Sequence, residues 1–188
     1  NAGLEIACGE YIVFLDSDDY VENTMVKDAL NVLEKNNSDI VIWGYYADFV
    51  DEYENLQSSK SKPCISGSYS KSDLIKLSIS TELIGILGYA WNKMYKKELL
   101  INNNFKFVKG LSLIEDIVFN APVLAKAERI SFIESKYVHY MQRPIETLGA
   151  KFYENYYDLK ITAMNSVQMM LYEWGKNDQE IRALINQI

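Results

Sequence analysis

Asp16-Ser17-Asp18-Asp19 sets three carboxylates within four positions. In an extended segment Asp16 and Asp18 project to the same side, and like charges that close repel. Such a cluster stays fully solvated, holds a proton at unusually high pH, or gathers on a divalent cation through hard oxygen ligands. It could also cap the helix that follows, because carboxylates favour the positive end of a helix dipole. Position favours the cation. The cluster directly follows Tyr11-Ile12-Val13-Phe14-Leu15, an apolar run of strand character, and open α/β sheets present ligands at the carboxyl ends of their strands. A second acidic pair, Glu115-Asp116, opens an apolar-periodic segment and faces the same choice between chemistry and capping. Other cation and phosphate motifs fit badly. An EF-hand starting at Asp16 needs Gly and Glu where Val21 and Lys27 stand, and there is no Walker A or Gly-x-Gly-x-x-Gly string. A divalent cation bridging to a diphosphate remains.

The elements that must position these residues read as strand, helix, strand. After the first apolar run, Met25, Val26, Ala29, Leu30 and Leu33 recur at helical spacing, Asn36-Asn37 stops the helix, and Ile40-Val41-Ile42-Trp43 forms the next strand. Residues 45–68 are polar and Tyr-rich, an excursion of irregular or hairpin structure. A helix is expected after Ser70 or Ser72. Pro122 should kink the segment opened by Glu115, or restart it, because proline removes an internal helix bond at a cost of roughly 3 kcal/mol. Ile130–Ile133 and Tyr137–Tyr140 read as two short strands around a polar turn. Tyr157, Ile161, Met164, Val167, Leu171 and Trp174 share one face of a long amphipathic helix, whose plainest use is packing.

The chain has 188 residues, 48% hydrophobic and 24% charged, enough to bury a core. Its formal net charge of -7 argues against a nucleic-acid partner, which would call for a basic face. Cys8 and Cys64 form no Cys-x-x-Cys pair, so a reducing, cytoplasmic setting is expected. No apolar stretch is long enough to span a bilayer. The chain starts at Asn1 without an initiator Met or a leader pattern and reads as a piece of something longer.

At these residues the sequence resembles bacterial family-two glycosyltransferases of the GT-A fold, which act on nucleotide-activated sugars. Four blocks carry the resemblance, in the family's order: Asn1 through Val21, then Trp91-Asn92-Lys93-Met94-Tyr95-Lys96-Lys97, then Glu115-Asp116-Ile117-Val118-Phe119-Asn120, then Tyr140-Met141-Gln142-Arg143. The likeness runs to about Thr147. Haloacid-dehalogenase phosphatases also place Asp-x-Asp after a strand but continue with Gly and Thr, where this chain has Asp19 and Tyr20. A metal-dependent phosphohydrolase and a non-catalytic assembly module remain the competing readings.

The resemblance implies an α/β fold with a mainly parallel mixed sheet flanked by helices. Residues 1–147 would form a partial catalytic domain and 148–188 a helical extension. It implies Asp18 as ligand of a manganese or magnesium ion, Asp16 on the metal or the nucleotide sugar, and Asp19 in support. Asp116 would be the general base of an inverting transfer, kept ionised by the helix dipole, with Glu115 orienting the acceptor or the backbone. Asn1, Gln142 and Arg143 would contact the nucleotide sugar, and Arg143's planar fork suits a diphosphate. Trp91, Asn92 and Lys93 would meet a glycan or lipid-linked acceptor, Trp91 and the tyrosines having core packing as an equal alternative. His139, the only histidine, lies in an apolar strand and is expected to pack there instead of ligating a metal. In this family β-α-β units of roughly 30 residues each precede the acidic motif, yet only about fifteen residues do so here. The expected chain therefore lacks most of its nucleotide-binding half, has little activity alone, and exposes a sheet edge that invites a second copy. Polysaccharide synthesis at the inner face of the cell membrane is the implied setting.

Overall fold

The computed structural model describes residues 1–144 and 153–187. Its strands are β1 (Tyr11–Val13), β2 (Tyr20–Val21), β3 (Ile40–Val50), β4 (Leu56–Lys62), β5 (Gly67–Ser70), β6 (Lys93–Lys96) and β7 (Arg129–Gln142). Its helices are α1 (Ala2–Ile6), α2 (Met25–Asn36), α3 (Thr81–Gly88), α4 (Lys97–Asn102), α5 (Glu115–Lys126), α6 (Tyr156–Glu173) and α7 (Asp178–Ile185). The strands form one sheet in the order β1-β6-β3-β7-β2, with β4 on β3 and β5 on β7.

The sheet is mixed and flanked by helices, as expected, but it is not mainly parallel. Only β3 and β7 run parallel, while β1·β6, β3·β6, β2·β7, β3·β4 and β5·β7 are antiparallel. The reason lies in the connections: the Asp51–Asn55 turn between β3 and β4 is too short for anything but a hairpin, because a parallel return needs a crossover of about a dozen residues. The excursion after Trp43 is thus a hairpin that lengthens the central strand. Ile40, Val41, Ile42 and Trp43 are wholly buried, which explains the unbroken apolar run: β3 is covered on both faces.

Three other expectations change. The first strand stops at Val13 because Phe14 turns edge-on into the rings of Tyr95, Phe107 and Phe119, leaving Leu15 exposed. The two short strands after residue 129 are one, β7. Its register passes from Ile133 opposite Trp43 to Lys136 opposite Gly44, so Glu134 and Ser135 bulge out without ending the pairing. Helix α5 continues through Pro122 without a restart.

The boundary expected at 147/148 lies outside the described residues. Beyond it, α6 packs on α5, and Trp174 Nε1, fully buried, donates to the carbonyl of Leu124 at 3.1 Å. The buried face of α6 is Leu159, Val167, Met170 and Leu171. The expected stripe holds at Val167, Leu171 and Trp174, which are inside, but not at Tyr157 and Ile161, which are exposed. Among the described residues no helix is long and apolar enough to cross a membrane.

Candidate active site

The acidic motif forms the turn between β1 and β2, closed by the Asp19 amide donating to the Asp16 carbonyl at 3.3 Å. Strand β2 pairs with the far end of β7, Tyr20 opposite His139. That pairing lays the turn beside Met141, Gln142 and Arg143. The Met141 amide donates to Asp19 Oδ1 at 2.9 Å. Arg143 donates to Asp18 Oδ2 at 3.2 Å and to the Asp18 carbonyl at 3.3 Å, while its Nε reaches Glu54 at the β3–β4 hairpin tip at 3.1 Å. Two blocks separated by more than a hundred residues therefore meet in one place, which brings Asp16, Asp18, Asp19, Gln142 and Arg143 together.

The electrostatics of this turn are those of a site short of positive charge. Burial, then Asp18, then Glu115 raise the Asp16 carboxyl above its ordinary value. Asp19 is pushed up to about 6, by burial first and by Asp18 and Asp16 after it, against the opposing Met141 amide and Arg143. Its second oxygen, Oδ2, is buried without a partner, as are Glu115 Oε2 and Gln142 Nε2. Among the described residues no three His, Cys, Asp or Glu side chains cluster as a complete metal cage. The donor set instead fits a cation held by one or two carboxylates and completed by substrate phosphates, the usual habit of magnesium-like ions. Asp16 and Asp18 would hold it, with Asp19 behind them.

Asp116 sits in the first turn of α5 and accepts a 2.9 Å bond from the Ala90 amide. Leu113, just before the helix, has φ 76, a left-handed conformation that costs a branched residue about 1–3 kcal/mol and is typical of functional turns. The helix dipole expected to keep Asp116 ionised is opposed by burial. Burial raises its pKa, with Glu115 and Asp16 adding and the Ala90 amide and Lys93 opposing. A raised carboxyl is the stronger base. Glu115 acts on Asp16, and both act on Asp116, so the acidic turn and the α5 carboxylates share one electrostatic site.

Three residues expected to contact ligand are engaged by the protein itself. Asn1 spends both ends of its amide on the backbone of Phe107, at 2.9 Å each way, and so fixes the ring that stacks on Phe119. Asn92 and Lys93 are fully buried. Asn92 Nδ2 donates to the carbonyls of Trp43 and Ile86, and Lys93 Nζ donates to Ile86, Tyr89 and the Asn92 side chain. These side chains satisfy the carbonyls around the end of α3, groups that a helix leaves unpaired, and do not face an acceptor. Trp91 is 5% exposed and lies between the rings of Tyr89 and Tyr140, with centroids at 4.7 and 5.4 Å. Its role is that of the packed alternative, with the half-buried Tyr89 and Tyr140 flanking it.

His139 packs as expected, in a setting the sequence did not announce. It is stacked between Tyr20 and Tyr46, with Nδ1 2.7 Å from Asp48 and Nε2 3.1 Å from Glu22. Burial alone would raise Asp48, but bonds from Ser59, His139 and Tyr20 hold it below its ordinary value. Glu54 and this cluster were missed because their partners come from distant strands. The only hint was the alternation of Tyr and acid along residues 45–54.

The sequence and the fold match known proteins. The family model for Glycosyl transferase family 2 covers residues 1–102, more than half of the chain, and the chain belongs to that family. It is 31% identical over 142 residues to the poly(ribitol-phosphate) beta-N-acetylglucosaminyltransferase TarP of Staphylococcus aureus, covering 75% of this chain and 39% of that protein. It is 30% identical over 146 residues to the cholesterol galactosyltransferase of Borreliella burgdorferi, covering 75% of this chain and 40% of the relative. The chain thus spans about two fifths of these relatives' length. Its fold matches the crystal structure of S. aureus TarS 1-349 in complex with UDP-GlcNAc, with a TM-score of 0.68, 21% identity, and coverage of 99% of this chain and 50% of that one. Membership of that family argues against the phosphohydrolase reading.

Proposed function

We propose that this chain is the cation-and-acceptor part of an inverting glycosyltransferase that moves a sugar from a UDP-sugar to a bacterial cell-surface glycan or a lipid-linked acceptor. The observation that carries the reading is the shared electrostatic site of the Asp16–Asp19 turn and Asp116. A divalent cation at Asp16 and Asp18 would supply positive charge to the departing diphosphate. Arg143, within reach of Asp18, would add charge-assisted bonds to the same phosphates. Asp116 would take the proton from the acceptor hydroxyl as its oxygen attacks the anomeric carbon, and its raised pKa suits that task. Glu115, with a buried oxygen free of partners, would orient the acceptor. Tyr89 and Tyr140 would offer it ring edges beside Trp91.

The names of TarP and TarS support the donor and the cell-wall acceptor class. Residues 1–147 would belong to the catalytic domain and 148–188 to a helical extension. The donor's base and ribose would be held by sequence upstream, so this chain alone would transfer weakly, and the free edge of β1 would pair with that sequence or with a second copy. Work at the cytoplasmic face of the membrane, with the protein peripheral to it, suits a lipid-linked acceptor. The test is Asp116→Asn in a protein extended upstream. The variant keeps an oxygen for the Ala90 amide and should lose transfer by about 10²–10⁴-fold while still binding UDP. Transfer at the wild-type rate would sink the assignment.

A further inference from the structure

Lys93 is charged-residue material in an unusual place: wholly buried at the start of β6, with three acceptors around its ammonium. An ammonium has three protons to donate, so the cage matches the charged form. One acceptor is the carbonyl of Tyr89. That carbonyl belongs to the same peptide unit as the Ala90 N–H, which donates to Asp116 Oδ2. A cation therefore sits at one end of a peptide dipole and the carboxylate at the other. Hydrogen bonds in such a chain polarise one another, and do so more strongly where water is excluded.

We propose that Lys93 is a positioning residue for Asp116, acting on it through the Tyr89–Ala90 peptide, whose carbonyl accepts from the ammonium and whose N–H donates to the carboxylate. The arrangement does two things. It aims Asp116 Oδ2 by fixing the peptide at the end of α3, and it sets how basic that carboxylate is. The end of α3 that leads into this peptide is held by three side chains. Asn92 binds the Ile86 carbonyl, Asn120 on α5 binds the Gly88 carbonyl at 2.7 Å, and Tyr95 on β6 steadies Asn120 at 2.6 Å. The aromatic pair Tyr89 and Trp91 flanks it, stacked at 4.7 Å.

The charged and titratable groups around Asp116 are Lys93 and Tyr95 from β6, Asp16 from the acidic turn and Glu115 from its own helix. Lys93 also faces Cys64, whose thiol is pushed up to about 11 by burial. Lys93 is the only cation in that set, so its state decides whether the carboxylate meets any positive partner. Burial pushes Lys93 down to about 7, against the pull of Asp116 and Cys64. Near neutral pH the relay would pass from a charged to a neutral state, and Asp116 would become a stronger base as it does so.

The inference rests on Asp116 being the base, but its test does not require catalysis. In the wild-type chain, carbon-detected NMR would follow the Asp116 carboxyl, the Lys93 Cε and the Ala90 amide through a pH titration. Deprotonation of Lys93 should bring steps at the Ala90 amide and the Asp116 carboxyl at the same pH. A Lys93 titration with neither step overturns the relay. In Lys93→Met the Asp116 midpoint should rise by about one pH unit or more, as expected when an opposite charge is removed, with Asp19 moving far less. An unchanged Asp116, or equal shifts at Asp16 and Asp19, would also overturn it. An unaltered transfer rate in Asp116→Asn would instead defeat the catalytic reading while leaving this linkage standing.

Discussion

Asp19 holds one oxygen against the Met141 amide and leaves the other buried and unpartnered, and the pH dependence of stability should report it. Its folded pKa of about 6 lies above the ordinary aspartate value of 3.8. The folded state therefore binds its proton more tightly than the unfolded chain does. That contribution is fully present below the unfolded pKa and is lost as pH rises through about 6. Asp19→Asn keeps an acceptor for Met141 and removes the uncompensated charge. At pH 7 thermal melting should show the variant more stable by about 1 kcal/mol, allowing for partial solvent screening, with the gap closing below pH 4. A gap that persists at low pH would mean that Asp19 acts by shape and not by charge. The acidic residues were legible because carboxylates after an apolar run, or at a helix start, end up where backbone dipoles and strand ends converge. Asn92 and Lys93 were legible as a string but not in role. Their burial depends on the carbonyls of Ile86 and Trp43, the latter 49 residues away, and nothing local marks a polar residue as inward.

At the level of elements, the site depends on β3 and β7 reaching far enough to carry both the hairpin tip and the Arg143 end. Gly44 is the weak link. It stands where the β3 register shifts against β7, and a Cβ there would lie 2.5 Å from the Lys62 carbonyl oxygen and 2.9 Å from the Cys64 nitrogen. Both are backbone atoms and cannot swing aside. Gly44→Ala should cost about 2–3 kcal/mol of stability in denaturant unfolding, and loosening of the β3–β4 hairpin would weaken the Glu54–Arg143 contact. A variant as stable as the wild type would show that the two strands are free to separate. The apolar halves of β7 could be read from residues 130–133 and 137–140. Their continuity could not, because a bulge that ejects Glu134 and Ser135 is chosen by the partner strand. The hairpin could be read only as one of two options, because β4 is exposed along its whole length and carries no periodic signal.

Across the whole molecule, the question is whether the tail is separable from the site. Trp174 joins α6 to α5, the helix that bears Glu115 and Asp116. Trp174→Phe should cost about 1 kcal/mol, the worth of one hydrogen bond. Trp174→Ala should cost about 3–5 kcal/mol by leaving a cavity, read as one cooperative transition. Two resolved transitions, with the first alone sensitive to Trp174, would mark the tail as independent of the catalytic part. The stripe of residues 157–174 was legible as amphipathic and holds at Val167, Leu171 and Trp174, but not at its N-terminal end. Aromatic and apolar residues at Tyr157 and Ile161 look like core until α5 defines which side is covered.

If the Asp16–Asp19 turn binds a nucleotide diphosphate through a divalent cation, calorimetry will show it. UDP would be titrated into the protein extended upstream, with and without manganese, for the wild type, Asp18→Ala and Asp116→Asn. Binding should require manganese, be lost in Asp18→Ala and survive in Asp116→Asn. Binding that ignores manganese, or that Asp18→Ala leaves intact, would contradict this role of the turn.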